Sequence, residues 1–339
     1  MPTLAGLPLT LPVLAAPMAG GPTTPALVTA AAEVGSLGFL AGGYRTPEQL
    51  ARQIGEVRAV TETFGVNLFA PNPVPVDPDA YARYAIELRP AAGRFGVTLP
   101  NRPVQDDDGW SGKLDLLLAD PVPLVSFTFG VPTADVIRAL RSAGSAVAQT
   151  VTNAEEAGVA AGAGVDLLIV QGSAAGGHSA TLTPHRPPEP RPLPDLVREV
   201  AGSHRLPVVA AGGLDSSAAV AQSLRAGAAA AMVGTALLLT EEAGTSAVHR
   251  GAIVERSGPT VVTRAFTGRP ARALPNEFTH RFDPVAPLGY PALHHLTSPL
   301  RRAAAAAGDA EWVHLWAGTG YPASTSGSAK AILQRLANG

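Results

Sequence analysis

Two hydrophobic patterns alternate along the chain. Short runs that are apolar at every position are followed by longer, alanine-rich stretches whose apolar residues recur at helical spacing. A run without a polar face suits a strand covered on both sides, as in a parallel sheet wrapped by helices. Eight such strands are predicted, at 13–16, 37–41, 65–69, 124–129, 146–151, 166–171, 207–211 and 230–235. The stretches between them carry helix ends. Thr152-Asn153-Ala154-Glu155 has capping-box spacing and predicts a helix to about Ala161. Asp215 or Ser216 can cap a helix that Gly227 closes. Eight βα units in about 240 residues predict an α/β fold, a closed (β/α)8 barrel. An open doubly wound sheet is the alternative. Against it, the turn after the first strand reads "APMAGG", which is no dinucleotide fingerprint.

Two segments break the alternation. "APNPVPVDPDAY" and "LPNRPVQDDDGWSG" are rich in Pro, Asn, Asp and Gly and predict loops. From about Arg256 the pattern changes. "TGRPARALPNEF" is loop-like and basic, and "TSPLRRAAAAAGDAEW" predicts a helix with Ser298 as N-cap, Pro299 at N1 and Gly308 as the stop. The expected division is a barrel over 1–255 and a small helical subdomain over 256–339. That subdomain, with part of the early loops, would cover the barrel mouth.

Composition narrows the function. The chain has 339 residues, a formal net charge of −2, 46% hydrophobic and 15% charged residues. Basic residues are scattered, so no nucleic-acid face is expected. There is no cysteine, which removes disulfides, thiolate metal sites and thiol nucleophiles. The opening "MPTLAGLPLTLPVLAAPM" lacks a basic n-region and is broken by prolines, so it reads as mature sequence. No apolar run reaches membrane-spanning length. A cytoplasmic protein with no membrane partner is expected, of undetermined oligomeric state.

Three stretches carry candidate chemistry. "VVAAGGLDSS" and "AMVGTALL" end the last two strands, where barrels often hold a phosphate on backbone N–H groups. Gly212, Gly213, Gly234 and Thr235 are the candidates, glycine permitting close approach of the backbone. The bland alternative is a pair of ordinary tight turns. The second stretch is "IVQGSAAGGHSATL". Gln171 ends a strand, and its amide can both donate and accept at the edge of a heteroaromatic ring. Gly176 and Gly177 let the chain wrap a ligand. His178 follows them, able to accept a proton or donate to an anion; a loop histidine satisfied by backbone or water is the alternative. The third is "APMAGG" with Asn67, which together could ring a planar cofactor. His294-His295 resembles a metal pair only in composition and is expected on a structural or lid surface. "QDDDGW" is expected as a solvated loop. His185, His204, His249, His280 and His314 show no partner pattern, and Glu155 and Glu156 are expected on a helix surface. A phosphate grip plus room for a ring suggests a nucleotide-like cofactor, with FMN the commonest fit to one phosphate.

These residues resemble the nitronate monooxygenases, class I. "APMAG", "GVNLFAP", "QTVTNAEEAGVAAGAGVDLLIVQG", "AGGH", "VVAAGGL", "TRAFTGRPARALPNEF" and "YPALHHLTSPLRRAA" stand in the family's order over nearly the whole chain. The resemblance implies non-covalent FMN and no metal. It places Pro17, Met18, Ala19, Asn67, Gln171, Gly176, Gly213, Met232, Val233, Gly234 and Thr235 against FMN. His178 falls on the family's active-site histidine, and Tyr290 on an aromatic bordering the substrate pocket. The implied reaction oxidises a small nitronate such as propionate 3-nitronate with O2, giving a carbonyl compound and nitrite. The chain departs from the family pattern at Ala174, usually Glu, and at Ser179, often Arg. The competing readings are a nicotinamide-dependent FMN enoyl-thioester or quinone reductase, and a flavin-free phosphate-binding barrel.

Overall fold

The computed structural model describes residues 3–186 and 188–338. Its centre is a closed ring of eight parallel strands: β1 (Val13–Ala15), β2 (Gly38–Ala41), β3 (Phe64–Ala70), β4 (Leu124–Phe129), β5 (Ala146–Val151), β6 (Leu167–Gln171), β7 (Val208–Ala211) and β8 (Ala230–Val233). Each pairs with the next, and β8 returns to β1 with Met232 opposite Leu14, so the ring has no open edge. All eight expected runs are barrel strands, which removes the doubly wound alternative. Alternate residues serve opposite sides, as the strand period requires. Leu14, Phe39, Ile169, Val209 and Met232 fill the barrel interior. Their neighbours Val13, Leu40, Leu168, Val208 and Ala231 meet the outer helices.

Three helices begin with a cap followed by proline. Thr24, Thr46 and Asp77 accept from the backbone N–H of Leu27, Gln49 and Ala80, with Pro25, Pro47 and Pro78 supplying the preset φ. Ser216 caps Ser217–Arg225, and Gly227 follows at φ +111°.

Two expected starts are corrected. The helix Ala154–Ala163 is capped by Asn153, whose oxygen accepts from Glu156 N–H at 2.8 Å, not by a Thr152/Glu155 box. The late helix runs Ala292–Ala306, so Ser298 and Pro299 lie inside it. Its buried positions Leu293, Leu296, Thr297, Leu300, Arg301 and Ala304 follow one stripe straight through the proline. Packing of that stripe outweighs a proline cost of about 3 kcal/mol.

A second apolar cluster covers the C-terminal ends of the strands. Tyr81, Tyr84 and Leu88 from helix Pro78–Arg94 pack there with Phe266, Phe278, Phe282, Leu296 and Trp312. A small antiparallel sheet joins cover to barrel: Val261–Thr263, Ala271–Ala273 and Gly177–His178, with Ala271 opposite His178. The last helix, Ala329–Ala337, leaves the cover. Its Ile332, Leu333 and Leu336 join the barrel's outer cluster beside helix Pro25–Glu33. Among the described residues no helix is long and apolar enough to cross a membrane.

Candidate active site

The strand ends open into one cavity of about 910 Å³ beneath the cover. Pro17, Met18 and Ala19 line it after β1, Asn67 from β3, and Gln171, Gly176, Gly177 and His178 after β6. Gly212 and Gly213 follow β7, Met232, Val233, Gly234 and Thr235 close β8, and Tyr290 comes from the cover. Every site residue expected from the sequence thus faces a single space, at the end of the barrel where barrel enzymes keep their chemistry.

One wall is a set of uncommitted backbone donors. The N–H groups of Gly212, Gly213, Gly234 and Thr235 donate to no backbone carbonyl among the described residues. Such converging N–H groups receive anions. Gly212 and Gly213 sit at φ +99° and +73°, and a Cβ on either would come 2.8 Å from the methyl of Ala175 or Ala174. These two glycines are required by the fold itself. Gly234 is different: its φ is −118°, and a Cβ there would make only ordinary 3.5 Å contacts with Ala16 and Met18.

The two carboxamides are partly spent. Asn67 donates to Ser126 Oγ at 2.9 Å and Thr128 Oγ1 at 3.0 Å, leaving its oxygen to accept. Gln171 donates to the His178 carbonyl at 3.2 Å and accepts from Ala180 N–H at 2.8 Å. It therefore fixes the loop that carries His178, with one hydrogen and one lone pair left for a ring edge.

His178 is held from three sides. Its backbone is zipped to Ala271. Its Nε2 lies 2.9 Å from Thr267 Oγ1, whose hydroxyl donates to the Arg269 carbonyl at 3.3 Å. These bonds are satisfied when the imidazole carries its hydrogen on Nε2. The ring packs against Tyr290 (5.9 Å), Trp316 (5.4 Å) and Phe129 (5.7 Å). Burial, reinforced by the nearby Arg269 and Arg301 guanidinium groups, pulls its pKa down to about 3. The resting imidazole is neutral, in a site whose potential is positive.

Arg269 supplies part of that potential. It is fully buried, stacks over Phe129 at 4.1 Å, and donates from Nε to the Ser179 carbonyl at 3.3 Å and from Nη2 to the Thr181 carbonyl. Glu156, expected at the surface, is 3% exposed. Its carboxylate accepts from Thr152 N–H and Oγ1, Thr181 Oγ1 and Leu182 N–H at 2.6–2.8 Å. The departure at Ala174 lies against Gly213, on the donor wall, and the departure at Ser179 sits where Arg269 reaches in.

Several lining residues escaped the sequence reading. His249, His294, His295 and His314 all face the cavity, with Arg301, Tyr44 and Asp108. His294 stacks on Tyr44 at 4.3 Å, and His295 Nε2 meets Asp106 at 2.6 Å. The expected solvated loop is therefore part of the cavity rim: Asp108 pairs with the buried Lys113 at 2.7 Å and accepts from Tyr44 N–H at 2.8 Å. Tyr44, Asp108 and Phe129 adopt φ of +63°, +58° and +82°. Side chains rarely hold such backbone except where a site over-determines it. The one sequence signal was helical spacing: His294, Thr297 and Arg301 share a face once the helix is started at Ala292. Among the described residues no group of three or more His, Cys, Asp or Glu is placed to hold a metal ion.

A model of the family described as nitronate monooxygenase matches residues 2–339. The chain belongs to the nitronate monooxygenase family. It is an enzyme of that oxidoreductase family, and the resemblance read from its motifs holds across the full length. A protein of Staphylococcus saprophyticus named probable nitronate monooxygenase is 34% identical over 333 residues, covering 96% of this chain and 93% of the relative. The crystal structure of nitroalkane oxidase from Streptomyces ansochromogenes superposes with a TM-score of 0.90 at 42% identity, covering 97% and 95% of the two chains. The structure of FabK from Thermotoga maritima is more distant, with a TM-score of 0.75 at 26% identity and coverage of 97% and 92%.

Proposed function

We propose that this enzyme binds FMN and oxidises small alkyl nitronates, propionate 3-nitronate among them, with O2 to a carbonyl compound and nitrite. The observation that carries the reading is the placement of a neutral His178, flanked by buried guanidinium groups, in the same cavity as a wall of free backbone N–H groups. The donor wall of Gly212, Gly213, Gly234 and Thr235 suits the phosphate, while Pro17, Met18, Ala19 and the free oxygen of Asn67 suit the ring. Gly176, Gly177, Met232 and Val233 complete that surround. FMN held by these residues would supply the redox chemistry between the nitronate and O2.

The protein's own part is electrostatic. A nitronate is already an anion, and Arg269 and Arg301 favour an anion over a neutral nitroalkane in this enclosed site. With its pKa near 3, His178 is a feeble base toward a neutral nitroalkane. A bound nitronate offsets part of the guanidinium charge, raises the proton affinity of His178, and lets it hold the nitro group through a hydrogen bond. Tyr290 and Trp316 close the apolar sides and exclude water. These roles predict rapid O2 uptake and nitrite release by the FMN-loaded protein on adding propionate 3-nitronate, without NADH or NADPH. No uptake, together with anaerobic flavin bleaching by NADH or NADPH, would replace this reading with a reductase.

A further inference from the structure

We propose that Tyr44 is the size-selecting gate of the cavity, admitting nitronates whose alkyl group is short and unbranched and turning away bulky or cyclic ones. This rests on the nitronate reading above and names the shape of substrate that the site takes.

Tyr44 stands in the turn between β2 and helix Pro47–Arg58, at the opening of the cavity. It is 36% exposed, whereas Tyr290, one ring further in, is 8% exposed. Its flat face stacks on His294 of the cover helix Ala292–Ala306 at 4.3 Å, with an interplanar angle of 3°. Beside it, Asp106 meets His295 of the same helix at 2.6 Å. On this side the gap between barrel and cover is spanned by side chains, and a ligand entering here passes Tyr44.

Four aromatic rings that line the cavity form a closed circuit. Tyr44 lies 5.3 Å from Phe69, Phe69 lies 4.6 Å from Phe129, and Phe129 lies 5.3 Å from Tyr290. The Tyr290 hydroxyl then returns to that of Tyr44 at 3.5 Å. His178 sits on the inner side of the circuit, 5.7 Å from Phe129 and 5.9 Å from Tyr290. An alkyl group attached to a nitronate at His178 therefore lies among these rings, with Phe69 and Tyr44 at its far end. Closely packed rings yield little to an oversized group, so this end wall limits both length and width.

The ring is propped from behind. Tyr44 adopts left-handed backbone, φ +63°, which a tyrosine rarely holds unless its surroundings enforce it. Its N–H donates to Asp108 Oδ1 at 2.8 Å, and the other oxygen of Asp108 pairs with the Lys113 ammonium at 2.7 Å. Lys113 is 1% exposed, so removing either partner would leave a buried charge uncompensated. The pair fixes Asp108, and Asp108 fixes the backbone of Tyr44. Asp108 and Lys113 are thus positioning residues that act through the Tyr44 ring.

The test is oxygen uptake by the FMN-loaded protein with the nitronates of nitroethane and nitrocyclohexane, read as the ratio of kcat/KM, cyclic over small. The wild-type ratio is expected at about 0.1 or below. Tyr44→Ala should raise it about tenfold or more, and Tyr44→Phe, which keeps the ring, should leave it within about twofold. Asp108→Ala should raise it about threefold, and should raise it no further when added to Tyr44→Ala, because the prop acts only through the ring it holds. A wild-type protein that handles both nitronates equally, a comparison that needs no variant to fold, would overturn the proposal; so would a ratio untouched by Tyr44→Ala. The same discrimination is read without turnover by anaerobic titration of the flavin absorbance with the parent nitroalkanes. Their Kd values should differ about tenfold in the wild-type protein and converge in Tyr44→Ala. Failure to turn over either nitronate would therefore count against the proposed reaction alone, and the titration would still decide the role of Tyr44.

Discussion

Glu156 joins two segments through one carboxylate: the start of the helix after β5, and the loop that leaves His178. All of its partners are donors. In Glu156→Gln one oxygen becomes an NH2 group facing a donor, so a buried mismatch replaces a buried match. We expect a loss of about 2–4 kcal/mol in urea denaturation at pH 7, with kcat/KM falling because the His178 loop loosens. Unchanged stability would mean that the carboxylate is dispensable. Nothing in the sequence distinguishes Glu156 from Glu155, because both fall in the first turn of an amphipathic helix. The partners that bury Glu156, Thr181 and Leu182, lie some 25 residues downstream. By contrast, the strand-end glycines and His178 were legible, since their chemistry is local: a flexible backbone beside a donor or imidazole at the end of an apolar run.

Among the elements, the strands were readable because a run that is apolar throughout has few other uses. The start of the late helix was not. Thr-Ser-Pro reads as cap and N1 by every local rule, yet the helix begins at Ala292 and runs through Pro299. Local chemistry lost there to a buried stripe that spans the proline. The missing N–H at Pro299 leaves the His295 carbonyl without its helical partner, and the neighbouring His294 carbonyl accepts from Arg301. Pro299→Ala should restore one backbone bond and raise stability by about 1–2 kcal/mol, visible as a higher Tm. A lower Tm would show that the distorted turn is what the cover packs around. The same misplaced start hid Arg301, because a helix beginning at Ser298 would not put His294 on its face.

For the molecule as a whole, the cavity's charge balance ties folding to pH. His178 and His249 are pulled to about 3 and about 4, and His294 and His314 well below their ordinary value, in each case first by burial. Unfolded, all four titrate near 6.5. Below that pH the unfolded chain takes up protons that the native protein refuses. The stability present above pH 6.5 is therefore lost as pH falls toward the folded values. Four such groups give a slope approaching about 5 kcal/mol per pH unit. Urea midpoints at pH 7, 6 and 5 should drop steeply, and a flat response would show that the imidazoles are protonated in place.

The last helix, Ala329–Ala337, wedges Ile332, Leu333 and Leu336 against the helix that follows the first strand. The ring and its seal are thus made from segments some 300 residues apart: Val13–Ala15 and Ala329–Ala337. While the protein is being synthesised, β1 must wait for helix Ala329–Ala337 before its outer face is fully covered. A nascent chain stalled just short of that helix would hold a complete set of strands around an unsealed seam, and would be a natural client for chaperones that shield exposed apolar surface.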